Sequence, residues 1–555
     1  MQLTHVNHKK TSLIVLCILL ILALLPILSP AKASAAAAGD EYKVVGYFIA
    51  WGAYGRDFQV EDLDPTTLTH INYAFADVCF DSIHGNPASA ACDKGDGTAA
   101  ENIADGSVVL GDPWIDAQSD FGGSFDGGVN GLYGNLGKLA QQKVDYPHLK
   151  TLISVGGWTW SNRFSDIAAD PQLRQNFANS AVDFVRQFKM DGVDIDWEYP
   201  VAGGLEGNSN RPEDKQNHTL LLQDVRNALD VAGQEDGKEY LLTIASSAGM
   251  SYPQNNELDK ISEILDFINI MTYDFSGTWQ STSGHNAPLF GDYQAADAGV
   301  NNFGADVATA IKGHLDNGVP AKKLVVGLPF YGKSWANCDG DESNLGNGGY
   351  LNCKGSGTGT WEAGSLEYDD LVANYVDKNG YTRYWNDAAQ VPYLYNEATK
   401  QFVTYDDAES IAAKVAYIEN LGLGGAMIWE LSSDRQYTLL SQINNEFKNG
   451  TTPDSPISHF VTDWDSQKTY TAGHRALFNG NIYTAKWWTV GEKPSSSDVW
   501  TKGSEAGAQP TIGEWSKTSV YTGGDVIVYD GQTYKAKWWT LGETPSTSDV
   551  WELVK

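Results

Sequence analysis

The run Asp191–Pro200, DGVDIDWEYP, decides the fold. In it Asp194, Asp196 and Glu198 alternate with Val193, Ile195 and Trp197. A β-strand has a side-chain period of two, so the three carboxylates share one face. In a barrel strand flanked by apolar partners that face points inward, where stacked acids destabilise the core unless they serve a function or carry protons. Carboxylates a few ångströms apart do not all ionise cheaply, so at least one pKa rises and keeps a proton near neutrality. Glu198, at the C-terminal end of the run, is the candidate donor. Asp196 sits between Asp194 and Glu198 and shares protons with both. Asp191 is out of phase with the row and reads as structural. Two other readings exist for such a row, a divalent-metal site and a solvated acidic patch. Metal loops usually carry a glycine turn instead of a straight strand, and the interleaved apolar residues argue for burial.

Working outward, seven further strand-like runs share this character: KVVGYFIAW, LTHINYAFA, LKTLISVGGW, YLLTIASSA, DFINIMTYDF, KLVVGLPFYG and GGAMIWEL. Helical stretches such as PQLRQNFANSAVDFVRQF separate several of them. Strand–helix alternation implies a parallel sheet with helices outside, and eight units predict a closed (β/α)8 TIM barrel over 41–448. Active sites of that barrel lie at the C-terminal ends of its strands, where Glu198 falls. One long insertion follows the second strand. Another, at about 336–405, is a candidate small α+β insertion domain. The fold class is therefore α/β, followed by two small all-β modules.

Those modules are an internal repeat. WDSQKTYTAGHRALFNGNIYTAKWWTVGEKPSSSDVW begins at Trp464, and WSKTSVYTGGDVIVYDGQTYKAKWWTLGETPSTSDVW at Trp515. We place them at 458–503 and 513–555, with polar linkers at 449–457 and 504–512. A stacked tandem pair is the alternative arrangement. Adjacent tryptophans on a strand face opposite sides, so at least one of Trp487 and Trp488, and one of Trp538 and Trp539, is expected at the surface as a binding platform. Trp464, Trp500, Trp515 and Trp551 read as structural.

The chain has 555 residues with a formal net charge of −32, 19% charged residues, 18 Trp and 27 Tyr. That length calls for more than one domain. The charge repels polyanions, which excludes nucleic acid and anionic membrane surfaces as partners. Abundant aromatics with few charges suit a protein that stacks on sugar rings. His8, Lys9 and Lys10, then an apolar run from Leu13 to Leu28, then AKASAAAA, read as a signal peptide over 1–38 and an extracellular destination. Four cysteines then remain, and their spacing suggests two local disulfides, Cys79–Cys92 and Cys338–Cys353. No Cys/His cluster has zinc spacing, and no cofactor or metal is expected.

DGVDIDWE matches the DxxDxDxE motif of glycoside hydrolase family 18, the chitinases. SVGGW at Ser154–Trp158 resembles the third-strand motif of that family, and MTYDF at Met271–Phe275 its sixth-strand motif. WGAYGRDF, GLPFYGKSW and GGAMIWEL also fit, in order along nearly the whole barrel. Lys333 departs from the Arg of many relatives.

The resemblance implies retaining hydrolysis of chitin and chito-oligosaccharides in which the substrate acetamide is the nucleophile, an exception to the two-carboxylate scheme. Glu198 would protonate the leaving oxygen. Asp196, supported by Asp194, would orient the acetamido N–H, and Tyr273 would bond its carbonyl. Asp274 would help distort the sugar. Trp429 would form its floor, with Tyr47 and Met271 beside it. Trp51 and Tyr54 would lie on the non-reducing side, and Trp158 and Trp279 on the leaving side. AKWWT, GExP and SDVW resemble carbohydrate-binding families 5 and 12, which implies chitin contact through Trp487, Trp488, Trp538 and Trp539. A monomer is expected. An endo-β-N-acetylglucosaminidase with the same motif is one alternative. A lectin on the same barrel is another, and such lectins lose the acid that Glu198 retains here.

Overall fold

All eight apolar runs form parallel strands: β1 (Lys43–Ile49), β2 (His70–Val78), β3 (Lys150–Gly156), β4 (Gly192–Asp196), β5 (Leu241–Ser247), β6 (Phe267–Met271), β7 (Leu324–Pro329) and β8 (Gly425–Trp429). The computed structural model describes residues 42–292, 305–340 and 348–449, Leu345, and parts of 462–505 and 513–553. β1 pairs with both β2 and β8, so the sheet closes into the expected barrel. A short ninth strand, Val108–Leu110, runs antiparallel along the end of β2. The Cys79–Cys92 disulfide ties the segment between them.

Strand β4 shows how the sequence builds the wall. Its outward residues Val193 and Ile195, and Trp197 just past its end, are buried against the helical layer. The helix Pro171–Gln187 starts where the Asp170 carboxylate accepts from the N–H groups of Gln172 and Leu173, with Pro171 preset for the first turn. Its buried Phe177, Ala181, Phe184 and Val185 recur at helical spacing and form one apolar stripe. Phe177 meets Phe164 at 6.0 Å between ring centroids, and Phe164 stacks on Trp197 at 5.7 Å. Truncating a fully buried Trp such as Trp197 costs about 3–5 kcal/mol. The strand that carries the acids is thereby fixed from outside by a continuous aromatic stack.

Between β7 and β8 the chain builds a five-stranded antiparallel sheet from Tyr331–Trp335, Ser365–Glu367, Tyr381–Asn386, Val391–Asn396 and Gln401–Thr404. The Cys338–Cys353 disulfide packs beneath it with Trp335, Tyr393, Tyr395 and Phe402. The first strand begins at Tyr331, ahead of residue 336. The run FYGKSW reads as an extension of β7, yet the chain leaves the barrel after Pro329, and Tyr331 and Lys333 belong to the inserted sheet.

Each C-terminal module contains a four-stranded and a two-stranded sheet among its described residues. Trp500 and Trp551 are buried, and each indole N–H donates at 2.9 Å to a carbonyl, that of Glu492 or of Glu543. The matching bonds mark the two as equivalent structural residues. Trp464 packs edge-on against Phe478. Trp487, Trp488, Trp515, Trp538 and Trp539 lie outside the described residues, as do residues 1–38, expected to be a signal peptide, and most of both expected linkers. Among the described residues no helix is long and apolar enough to cross a membrane.

Candidate active site

The barrel register places Asp194 opposite Ser154 on β3 and Thr243 on β5. Both hydroxyls donate to it, at 2.7 and 2.6 Å. The Tyr47 hydroxyl from β1 donates at 2.8 Å and the Asn269 amide from β6 at 3.4 Å. Four strands thus converge on one fully buried carboxylate. Burial pushes its pKa up, and the four donors oppose that rise.

One step toward the opening, Asp196 lies opposite Gly156. Gly156 has φ +110°, and a Cβ there would come within 2.4 Å of the Asp196 carbonyl oxygen. The glycine lets β3 approach the acidic strand closely. Asp196 Oδ1 accepts no hydrogen bond among the described residues. Burial first, then the charges of Glu198 and Asp194, hold its pKa well above the carboxylate range. Asp194, which has donors, is therefore the better home for negative charge, and Asp196 the better home for a proton.

Glu198 is 7% exposed and lies at the mouth. Burial pushes its pKa up to about 7, a hydrogen bond with Tyr199 lowers it, and the Asp274 charge raises it. A carboxyl poised there carries a proton at neutral pH and can give it up, as general acid catalysis needs.

Aromatic residues surround this carboxyl. Trp429 ends β8, with Tyr47 at 5.4 Å and Phe75 stacked on it at 5.8 Å. Met271, Tyr273 and Met427 complete that apolar floor. The Tyr273 hydroxyl contacts Met427 Sδ at 3.8 Å. Asp274 accepts from the Tyr331 hydroxyl at 2.7 Å and pairs with Lys333 at 3.0 Å. Lys333 therefore orients Asp274. Trp51 and Tyr54, after β1, are 42% and 49% exposed; Trp158, after β3, and Trp279, after β6, are 49% and 64% exposed. Such flat faces suit sugar stacking. Among the described residues no group of three His, Cys, Asp or Glu side chains is placed to hold a metal ion.

Residues 43–434 match the model of glycosyl hydrolases family 18. The chain belongs to glycoside hydrolase family 18. Residues 463–501 and 514–552 each match carbohydrate-binding module family 5/12. The family member Chitinase A1 of Niallia circulans is 54% identical over 461 residues, covering 81% of this chain and 64% of that protein. Chitinase ChiA74 from Bacillus thuringiensis is 46% identical with a TM-score of 0.69, over 81% of this chain and 75% of that one. A family 18 N-acetylglucosaminidase from Paenibacillus barengoltzii is 31% identical with a TM-score of 0.56, over 73% of this chain and 99% of that one.

Four side chains near the family 18 site escaped the sequence reading. Phe75 stacks on Trp429 and also faces Trp51 at 6.2 Å. Tyr331 holds Asp274. Trp361, 53% exposed, comes from the inserted domain; its indole donates to Glu367 at 2.7 Å and the Arg56 guanidinium lies over its ring. Trp114, 55% exposed, sits two residues beyond Asp112, which accepts from the Tyr54 hydroxyl at 2.6 Å. Phe75 carried none, because strict alternation puts it on the outward face of Ile71 and Tyr73, and only the irregularity of β2 between Ala74 and Ala76 turns it to the inner cluster. Trp361 carried none, because long-range folding of the insertion places it.

Proposed function

We propose that the chain is a secreted chitinase that cleaves β-1,4-linked N-acetylglucosamine polymers with retention of configuration. The observation that carries the mechanism is the division of labour along the acidic row. Glu198 stands at the opening with a pKa of about 7 and protonates the leaving oxygen. Asp196 lies beside it with a pKa well above the ordinary range, so it is a poor nucleophile. The nucleophile is then the acetamide of the substrate, which attacks its own anomeric carbon to give an oxazolinium ion; water, deprotonated by Glu198, then attacks that carbon from the face the leaving group left and reopens the acetamide. Asp196 accepts from the acetamido N–H and takes on charge as that ion forms by passing its proton to Asp194, which its four donors hold in place. Tyr273 bonds the acetamido carbonyl, Asp274 helps distort the sugar, and Trp429 with Tyr47 and Met271 supports it from below. Trp51 and Tyr54 on one side, and Trp158 and Trp279 on the other, extend the cleft over several sugars.

The two C-terminal modules bind chitin through Trp487, Trp488, Trp538 and Trp539 and raise the local concentration of enzyme on the polymer. We read the domains as placed above: barrel over 41–448, modules at 458–503 and 513–555. The two disulfides support an oxidising, extracellular location. The protein acts as a monomer with no nucleic-acid or membrane partner.

Hydrolysis of chitohexaose, followed by NMR of the first product, tests the scheme. The expected product is the β-anomer. Glu198→Gln is expected to keep oligosaccharide affinity and lose most turnover. An α-anomer, or near-normal turnover by that variant, refutes the scheme.

A further inference from the structure

We propose that Ser161 is a positioning residue for Glu198, clamping the peptide group of the acid from the loop that follows β3. The proposal rests on Glu198 being the proton donor. Glu198 lies two residues beyond the end of β4, so the strand ladder no longer fixes its backbone. Its N–H donates instead to Ser161 Oγ at 2.8 Å. The Ser161 hydroxyl, fully buried, carries one proton, which it shares between the Gly157 carbonyl at 2.8 Å and the Asp196 carbonyl at 3.1 Å. The Glu198 carbonyl accepts from Asn208 Nδ2 at 3.1 Å. Gly204, at φ +79°, packs so closely on that carbonyl that a Cβ would come within 2.1 Å of it.

The two loops that supply Ser161 and Asn208 are bonded to each other. The N–H and hydroxyl of Ser209 both donate to the Asn162 carbonyl, at 3.3 and 2.8 Å. Both backbone groups of the acid are therefore held by side chains from one cross-braced pair of loops, and one of those loops also presents Trp158. The carboxyl of Glu198 takes no part in these bonds. Ser161 thus acts on the reaction only by fixing where that carboxyl points. Its loss leaves a buried N–H without an acceptor and frees the acid to drift. A displacement near 1 Å costs on the order of a hundredfold in rate.

A positioning role and a merely structural one differ in leaving-group dependence. Departure of a sugar needs the proton of Glu198, whereas departure of dinitrophenolate does not; losses are compared as kcat/KM, which reports that step, because the later water step uses Glu198 as base with either substrate. Full-length Ser161→Ala, Asn208→Ala and Glu198→Gln are compared on chitohexaose and on 2,4-dinitrophenyl chitobioside. Ser161→Ala is expected to lose kcat/KM roughly ten- to a hundredfold on chitohexaose, with KM little changed, and much less on the aryl glycoside. Asn208→Ala follows the same pattern with a smaller loss. Equal losses on both substrates, or no loss on chitohexaose, overturn the clamp. If Ser161→Ala does not fold, the half-buried Asn208 carries the same test alone. Glu198→Gln separates the two readings. If its loss is also independent of leaving group, the acid assignment fails; if only Ser161→Ala and Asn208→Ala lack the dependence, the clamp alone fails.

Discussion

Tyr47→Phe removes one hydroxyl from beneath the active site and leaves the ring in place. Asp194 then keeps three of its four donors, from Ser154, Thr243 and Asn269. A hydrogen bond to a charged acceptor contributes about 1.5–3 kcal/mol, and one to a neutral acceptor about 1 kcal/mol. The difference, roughly 1–2 kcal/mol, favours the carboxylate form and vanishes in the variant. One pKa unit corresponds to about 1.36 kcal/mol, so the carboxylate becomes easier to protonate by about one unit. Asp194 and Asp196 titrate as a set, and the profile reports the set. Adding a further proton to the set removes the anion that the oxazolinium ion requires.

The acid limb of kcat/KM against pH, measured on a soluble chito-oligosaccharide, is therefore expected to move up by about one pH unit. The alkaline limb, which belongs to Glu198, stays near 7. Stability gives an independent reading. The folded pKa of Asp194 is already raised above its ordinary 3.8, so the contribution of this group falls as pH rises through the folded value. Tyr47→Phe raises that value further. The stability deficit of the variant then widens between the wild-type folded pKa and its own higher one, and is constant above. An unmoved acid limb together with a pH-independent deficit would refute the electrostatic role of the Tyr47–Asp194 bond.

Lys333→Met leaves the charge of Asp274 without its ion-pair partner, and that charge raises the Glu198 pKa. The alkaline limb is expected to move up by less than about one unit, because Asp274 is half exposed and solvent screens it; Lys333→Arg should restore the wild-type profile. Trp361→Ala removes a stacking face from the inserted domain; a stacking contact of about 0.5–1.5 kcal/mol predicts a KM for chitohexaose raised roughly two- to tenfold, with the trimer unaffected. Cys338→Ser with Cys353→Ser opens a link across a sequence separation of 15, for a loss of about 3 kcal/mol in denaturant unfolding that reductant reproduces in the wild type.

The barrel was legible because every strand announces itself locally. Each of the eight runs is apolar or alternating over strand length and is bounded by turn residues. The acidic row was legible for the same reason: a period of two assigns its faces with no knowledge of neighbours. What stayed hidden depends on contacts between distant segments. Nothing local says that Ser154 and Thr243 meet Asp194, since that follows from register across three strands. Tyr331 and Lys333 read as a continuation of β7 because their alternation is strand-like, and only the pairing of Lys333 with Ser365 and Thr404 assigns them to the inserted sheet. Trp361, just before the strand Ser365–Glu367, is brought beside Arg56 by that same sheet. Lys333 stood out in the sequence as a departure from Arg, but its bond to Asp274 required the fold.

The row also explains why a barrel tolerates three inward acids. Asp194 is held by four neutral donors, which disperse its charge over four strands without a counter-cation. Asp196, one of whose oxygens has no partner among the described residues, is kept neutral by burial and by the charge of Asp194 beside it. Only Glu198 faces the opening. The resting site therefore need hold only one well-solvated charge in its depths, and that charge is solvated by protein dipoles. When positive charge develops on a substrate acetamide, Asp196 can pass its proton to Asp194 and match that charge with its own carboxylate, so the row is stabilised by the reaction that it promotes. A sugar without an acetamide offers no such charge and no internal nucleophile. The arrangement that makes the buried row stable at rest is thus also the one that restricts it to N-acetylated sugars.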